Sequence, residues 1–266
     1  MLGVRLGSFN VMHGLSLTDG RVEPQRFAAV VAALDADVLG LQEIDVDQPR
    51  SGRLNLAAEA AEALGAASGS WRFVPTVFGT PGSRWRPANG PADPGEPAYG
   101  IALISRLPVV DWRVIELGRA PIRSPIAIPG GPHGRGRLIL LDDEPRVAIA
   151  ARIDAPGGPL TAVTTHLSFV PGWNAAQLVR LARRLADVDG PLVLLGDLNL
   201  PGRLPALLTG WHRLAATPTY PAHAPRAQLD HVLARGPVGE VSAVQARRTA
   251  ISDHRALLVD LGDPLS

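Results

Sequence analysis

The chain of 266 residues has no cysteine, and its 26 basic residues include no lysine. Without cysteine there is no disulfide framework, no thiolate zinc site and no cysteine nucleophile. Without lysine, Schiff-base chemistry and the Walker-type phosphate loop fall away as well. Aromatic side chains amount to 5%. An excess charge of either sign is also missing, since 26 arginines face 25 acidic residues for a formal net charge of +1. That balance argues against a broadly basic nucleic-acid surface and leaves a phosphate-bearing substrate open. No apolar run approaches the roughly 20 residues of a membrane-spanning helix, so stable membrane insertion is not expected. The first strand pattern already covers Val4 to Val11, so a leader is not expected. The expectation is a soluble, cytoplasmic, monomeric protein.

What is present is a scatter of 28 Gly and 25 Pro between short apolar runs, without a repeat period. Strands are expected at Val4–Val11, Val38–Gln42, Trp71–Phe78, Tyr99–Ser105, Val109–Leu117, Arg137–Leu141, Arg146–Ile153, Leu160–His166, Pro191–Gly196, Gln228–Ala234, Val241–Ala246 and Ala256–Leu261. Helices are expected from Glu23-Pro24 to Leu34, from Leu54 to Leu64 before Gly65, and from Asn174 to Asp187. Many strands with few helices imply two packed sheets with helices outside, in one domain spanning 1–266. Gly79–Ala98 and Gly118–Gly136 read as long loops; the second carries Arg119, Arg123 and Arg135. Its Gly130–Arg137 stretch either cradles phosphate or is a surface loop.

Polar residues recur at the ends of apolar strands: Asn10, Glu43, His166, the pair Asp197 and Asn199, and Asp253-His254 before the last strand. One such residue caps a turn; the set gathers along one sheet edge. Asp197 and Asn199 are two apart and share a strand face, whereas adjacent Asp230 and His231 face opposite ways, which favours Asp230 for the site and a structural role for His231.

The ordered motifs Phe9-Asn10, Leu41-Gln42-Glu43, Thr165-His166-Leu167, Gly196-Asp197-Leu198-Asn199, Leu229-Asp230-His231 and Ser252-Asp253-His254 resemble those of the endonuclease/exonuclease/phosphatase superfamily, with its pancreatic deoxyribonuclease-like fold. Tyr99 to Pro108 also resembles that family's central strand, and the likeness spans residues 4–261. It implies an α/β (α+β) four-layer sandwich, two mixed sheets flanked by helices. It also implies a divalent-metal phosphoesterase in which water attacks phosphorus directly. Carried over residue by residue, Glu43 is the principal metal ligand with Asn10 and Asp253 beside it. Asp197, positioned by Asn199, activates water; Asp230 pairs with His254, and His166 lies across the phosphate. Arg146 matches a family arginine or forms a salt bridge, and His13 touches substrate or packs in a turn.

Independently of the family, oxygen ligands without cysteine suit a hard cation such as Mg²⁺ or Mn²⁺ rather than zinc. The Asp-x-His and Gly-Asn-His signatures of dinuclear metallophosphoesterases, Gly-x-Ser-x-Gly and His-Glu-x-x-His are all missing. The expectation is a Mg²⁺- or Mn²⁺-dependent phosphodiesterase, with DNA or RNA favoured. The alternatives are a phospholipid, an inositol phosphate or another small phosphoester as substrate, and a non-enzymatic scaffold of the same fold.

Overall fold

The computed structural model describes residues 3–121, 124–128 and 137–262. In chain order its strands are β1 (Val4–Asn10), β2 (Val38–Val46), β3 (Trp71–Gly79), β4 (Trp85–Pro87), β5 (Ala98–Ser105), β6 (Val109–Gly118), β7 (Ser124–Ile128) and β8 (Arg137–Leu141). They continue with β9 (Arg146–Ala155), β10 (Gly158–His166), β11 (Leu192–Asp197), β12 (His212–Arg213), β13 (Asp230–Arg235), β14 (Val241–Arg247) and β15 (Ala256–Leu261). The helices are α1 (Pro24–Leu34), α2 (Leu56–Leu64), α3 (Trp173–Arg184) and α4 (Leu204–Thr209).

One sheet runs β14-β15-β1-β2-β5-β3-β4 and the other β12-β13-β11-β10-β9-β6, with β7 and β8 paired separately. Each large sheet is antiparallel apart from one central parallel pair, β1 with β2 and β10 with β11. A parallel pair needs a crossover connection, and α1 and α3 supply the two. Phe27, Val31 and Leu34 of α1 and Leu56, Ala60 and Leu64 of α2 pack on the outside of the first sheet. Leu178 and Leu181 of α3 do the same on the second. Between the sheets, Leu6, Val38 and Leu103 meet Ile149, Val193 and Leu195, so the expected four layers are present.

The sheets approach closely at Gly40, where a Cβ would lie 2.4 Å from Thr164 Oγ1 and 3.3 Å from Leu195 Cβ. Thr164 also accepts a 3.2 Å hydrogen bond from Gln42 across the interface. Gly40→Val is therefore expected to cost about 1–3 kcal/mol by overpacking, read as a lower denaturant midpoint. A wild-type midpoint would mean that the sheets do not depend on this close approach.

The elements depart from the sequence expectations at several points. β2 does not stop at Gln42 but continues to Val46 through an irregularity between Leu41 and Ile44 opposite β5. β4 crosses the expected Gly79–Ala98 loop, and 124–128 within the second expected loop pair with β8. Arg123, Arg135 and most of the 130–137 stretch lie outside the described residues. α3 ends at Arg184 rather than Asp187, while α4 and β12 are too short for periodicity to reveal.

Candidate active site

The parallel pairs end side by side, with Asn10 beside Gln42 and His166 beside Asp197. Antiparallel β13 starts there too, placing Asp230 opposite Asp197. Gly196 permits this assembly: a Cβ would meet Thr165 O at 2.3 Å, and backbone cannot yield. Glu43 enters by the irregularity in β2. Its φ of +61° breaks the strand alternation, so its carboxylate joins the Asn10 side of the cleft. Asn199 (φ +50°) and Ser252 (φ +70°) are also left-handed. With Met12 (φ +46°) in the cleft lining, four such non-glycine residues gather at one edge and mark stored strain of about 1–3 kcal/mol each. Behind Glu43, buried Asp45 holds Arg50 bidentately at 2.8 and 2.7 Å, bracing the turn after the bulge.

The residues converge on a cleft of about 390 Å³. The Asn10 amide donates to Glu43 Oε1 at 2.9 Å and Asp197 Oδ2 at 3.1 Å, while its oxygen accepts the Met12 N–H at 3.1 Å. Asp197 Oδ1 accepts the Asn199 N–H at 3.0 Å. The Asn199 side-chain amide donates to Leu167 O at 3.0 Å, and the Asn199 backbone carbonyl accepts from the Asn174 amide at 2.8 Å. His254 Nδ1 donates to Asp230 Oδ2 at 2.9 Å, leaving Nε2 3.7 Å from Asp197 Oδ2. His166 Nε2 stands 3.6 Å from the same oxygen. Ser252 donates to Asn10 O at 2.6 Å and accepts the His254 N–H at 3.0 Å, tying the final loop to β1.

The two imidazoles around Asp197 are in opposite charge states. Burial alone would lower His254, but Asp230 and Asp197 raise it to about 10. His166 has no hydrogen-bonded carboxylate of the kind Asp230 gives His254; burial first, then the charges of Arg146 and His254, hold it well below the ordinary histidine value. At neutral pH one is imidazolium and the other neutral. Asp197 itself is pushed up to about 6 by burial, which His254 partly offsets. Burial also raises Glu43 to about 7, against the Asn10 hydrogen bond, and the charge of Asp253 adds to the rise.

Asn10, Glu43, Asp253, His166, Asp197, Asn199, His254 and Arg146 all line the cleft, and Asp230 stands directly behind His254. Arg146 is not on the surface: it is buried, 3.5 Å from Asp143 and 3.8 Å from Glu144, and its Nε has no hydrogen-bond partner. His13 is not among the residues lining the cleft; it sits in a turn with a φ of +46°, near Arg50. His231 does face away, its Nε2 2.8 Å from Leu200 O. Sequence reasoning did not anticipate Tyr99, Glu144, Phe169 or Tyr220 in the lining. The ring of Tyr220 lies 4.8 Å from that of His254. Glu144, closing Asp142-Asp143-Glu144 just before β9, fits the strand-edge pattern that located the others.

Two carboxylate groupings could hold a cation. Among the described residues, Asp197, Asp230 and His254 bring ligand atoms within 4.8 Å of one another. Their chemistry is that of an ion pair, because a protonated His254 bound to Asp230 has no lone pair to offer. Glu43 fits better: among the described residues Asn10 is its one hydrogen-bond donor, and the adjacent charge of Asp253 is the kind of repulsion a cation relieves.

A cleft of carboxylates, amides and histidines at the strand ends of a two-sheet sandwich defines a class of hydrolytic site. A sequence profile of the Endonuclease/Exonuclease/phosphatase family matches residues 7–254, and the chain belongs to that family of hydrolytic phosphoesterases, which is generally dependent on divalent metal. No curated protein matches the chain significantly. Among solved structures, an endonuclease/exonuclease/phosphatase from Beutenbergia cavernae is 24% identical with a TM-score of 0.66, over 100% of this chain and 74% of its own. The mannosyl-6-phosphatase Bt3783 of Bacteroides thetaiotaomicron is 14% identical with a TM-score of 0.58, over 96% and 98%. D. rerio TDP2 humanized by 14 mutations is 16% identical with a TM-score of 0.57, over 97% and 98%. At these identities the likeness is one of fold. No helix among the described residues is long and apolar enough to cross a membrane.

Proposed function

We propose that this protein is a Mg²⁺- or Mn²⁺-dependent phosphodiesterase that cleaves nucleic-acid phosphodiesters by direct attack of water. The observation that carries the reading is the single carboxylate of Asp197 set between a charged and a neutral imidazole. Asn10 and the Asn199 N–H hold that carboxylate, and its value near 6 leaves it ionised yet basic at neutral pH. Asp197 takes the proton of the attacking water as general base. His254, kept protonated by Asp230, donates from Nε2 to the charge developing on the phosphoryl oxygens. His166 flanks the opposite side as a neutral ring, and Arg146 brings a positive charge to the cleft wall beside the phosphate. Glu43, Asn10 and Asp253 would hold the cation, which supplies Lewis-acid stabilisation of phosphoryl charge.

The test is a panel of plasmid DNA, single-stranded DNA, RNA, phospholipid, inositol phosphates and bis-p-nitrophenyl phosphate, assayed in EDTA and after adding Mg²⁺ or Mn²⁺. Metal-restored cleavage of nucleic acid is expected. Activity confined to lipids or small esters would overturn the substrate, and inactivity throughout would favour a scaffold.

The metal assignment has its own readout. A proton must leave Glu43 before a cation binds, so affinity is expected to rise with pH through about 7, with proton release measurable calorimetrically in buffers of different ionisation enthalpy. Glu43→Gln should weaken binding by roughly 100-fold or more, since even supporting residues around a metal are worth 10- to 100-fold. Unchanged affinity would remove Glu43 from the ligand set.

A further inference from the structure

Beside the catalytic cleft lies a second depression, of about 710 Å³, walled by the edge strand β4 and lined by Phe78, Arg84, Trp85, Arg86, Glu96 and Arg119. Three stretches of chain serve both hollows. Glu96 lines the groove while Tyr99, three residues on, lines the cleft. Arg119 follows Gly118, the register partner of Arg146 in the cleft. Asp142 is on the groove wall and Glu144 in the cleft. The groove therefore lies near the cleft, on its Arg146 side.

Its lining alternates arginine with aromatic rings. The Arg119 guanidinium lies over the Trp85 ring at 5.7 Å, and that of Arg86 over Phe78 at 4.7 Å. Glu96 neutralises Arg86 at 2.6 Å, whereas Arg84 and Arg119 are exposed and, among the described residues, form no ion pair. A half-buried indole on a sheet edge, with the Arg119 guanidinium over it and the exposed Arg84 beside it, suits a ligand that is both planar and anionic. A neutral sugar would use the ring and leave the charges idle.

We propose that this groove is a nucleotide subsite. It takes a base against Trp85 and the neighbouring phosphate on Arg84 and Arg119, along a single strand whose scissile phosphate is at Asp197. This rests on the phosphodiesterase reading and names its substrate as a single-stranded nucleic acid.

The test compares wild type with Trp85→Ala, Trp85→Phe, Arg84→Ala and Arg119→Ala on an oligonucleotide of roughly 12 residues, a length that spans several subsites. Trp85→Ala is expected to raise KM roughly 5- to 100-fold, the value of one base–aromatic stack. Trp85→Phe should restore most of it, and kcat and the hydrolysis of bis-p-nitrophenyl phosphate should not change. Each arginine variant should reduce the slope of log affinity against log salt by about 0.7, one phosphate contact. An unchanged KM in a Trp85→Ala protein with a wild-type melting temperature overturns the subsite. So does loss of mannose 6-phosphate hydrolysis instead of oligonucleotide cleavage. If wild type cleaves no oligonucleotide, the nuclease reading fails separately. Fluorescence anisotropy of the labelled oligonucleotide with metal-free protein then decides the groove: binding lost in Trp85→Ala supports it, and no binding by wild type overturns it.

Discussion

Asp197→Asn is expected to lower kcat by about three orders of magnitude, within the 10²- to 10⁴-fold range of a general base, with the fold intact. The amide keeps the volume of the carboxylate, and its oxygen can still accept the Asn199 N–H, but it cannot take a proton from water. Stability should respond in the opposite direction. Burial holds the Asp197 carboxyl at about 6, above its ordinary 3.8, so ionising it costs folding free energy as pH rises from the lower value to the higher. At neutral pH the variant is expected to melt no lower than wild type, an exchange of activity for stability common at strained sites. A rate within a few-fold of wild type would remove Asp197 from the role of base.

His254→Ala should cost about 10²- to 10³-fold in kcat, the usual loss when one preorganised donor to a developing anion is removed. The pH dependence separates this donor from a merely structural histidine. Asp230 and Asp197 outweigh burial and raise His254 from 6.5 to about 10. A basic group raised on folding stabilises the folded state fully below 6.5, and the contribution is lost as pH climbs through about 10. The alkaline limb of kcat should follow the same deprotonation. Asp230→Asn keeps the shape of the pair but removes the charge, so the limb should move down toward neutral pH. A pH–rate profile in which the limb does not move would contradict an imidazolium donor.

The gathering of these residues at one sheet edge was legible in the sequence because β-strands convert local order into shared position. Asn10, His166 and Asp197 each close an apolar run, and parallel pairing sets those ends side by side. Alternation also separated Asp230 from His231, which the structure sends to opposite faces. Glu43 was found for an incomplete reason: β2 runs past it, and a backbone irregularity at φ +61° brings it to Asn10. Such a bulge depends on pairing with β5, a long-range property that no local pattern carries. Tyr99 was missed on similar grounds, since its place comes from its register with Asp45. His13 shows the limit of local order, because proximity in sequence to Asn10 did not place it in the cleft lining. Trp85 and Arg119 meet only across the fold, between an edge strand and the end of β6. Composition placed both in featureless loops.

The most direct test of direct water attack is the stereochemical course at phosphorus in a chiral phosphorothioate diester cleaved in the presence of Mg²⁺ or Mn²⁺. A single in-line displacement by water activated at Asp197 inverts the configuration, and inversion is the predicted result. Retention would require a second displacement through a covalent phosphoenzyme, with a carboxylate or imidazole as nucleophile, and would contradict the account.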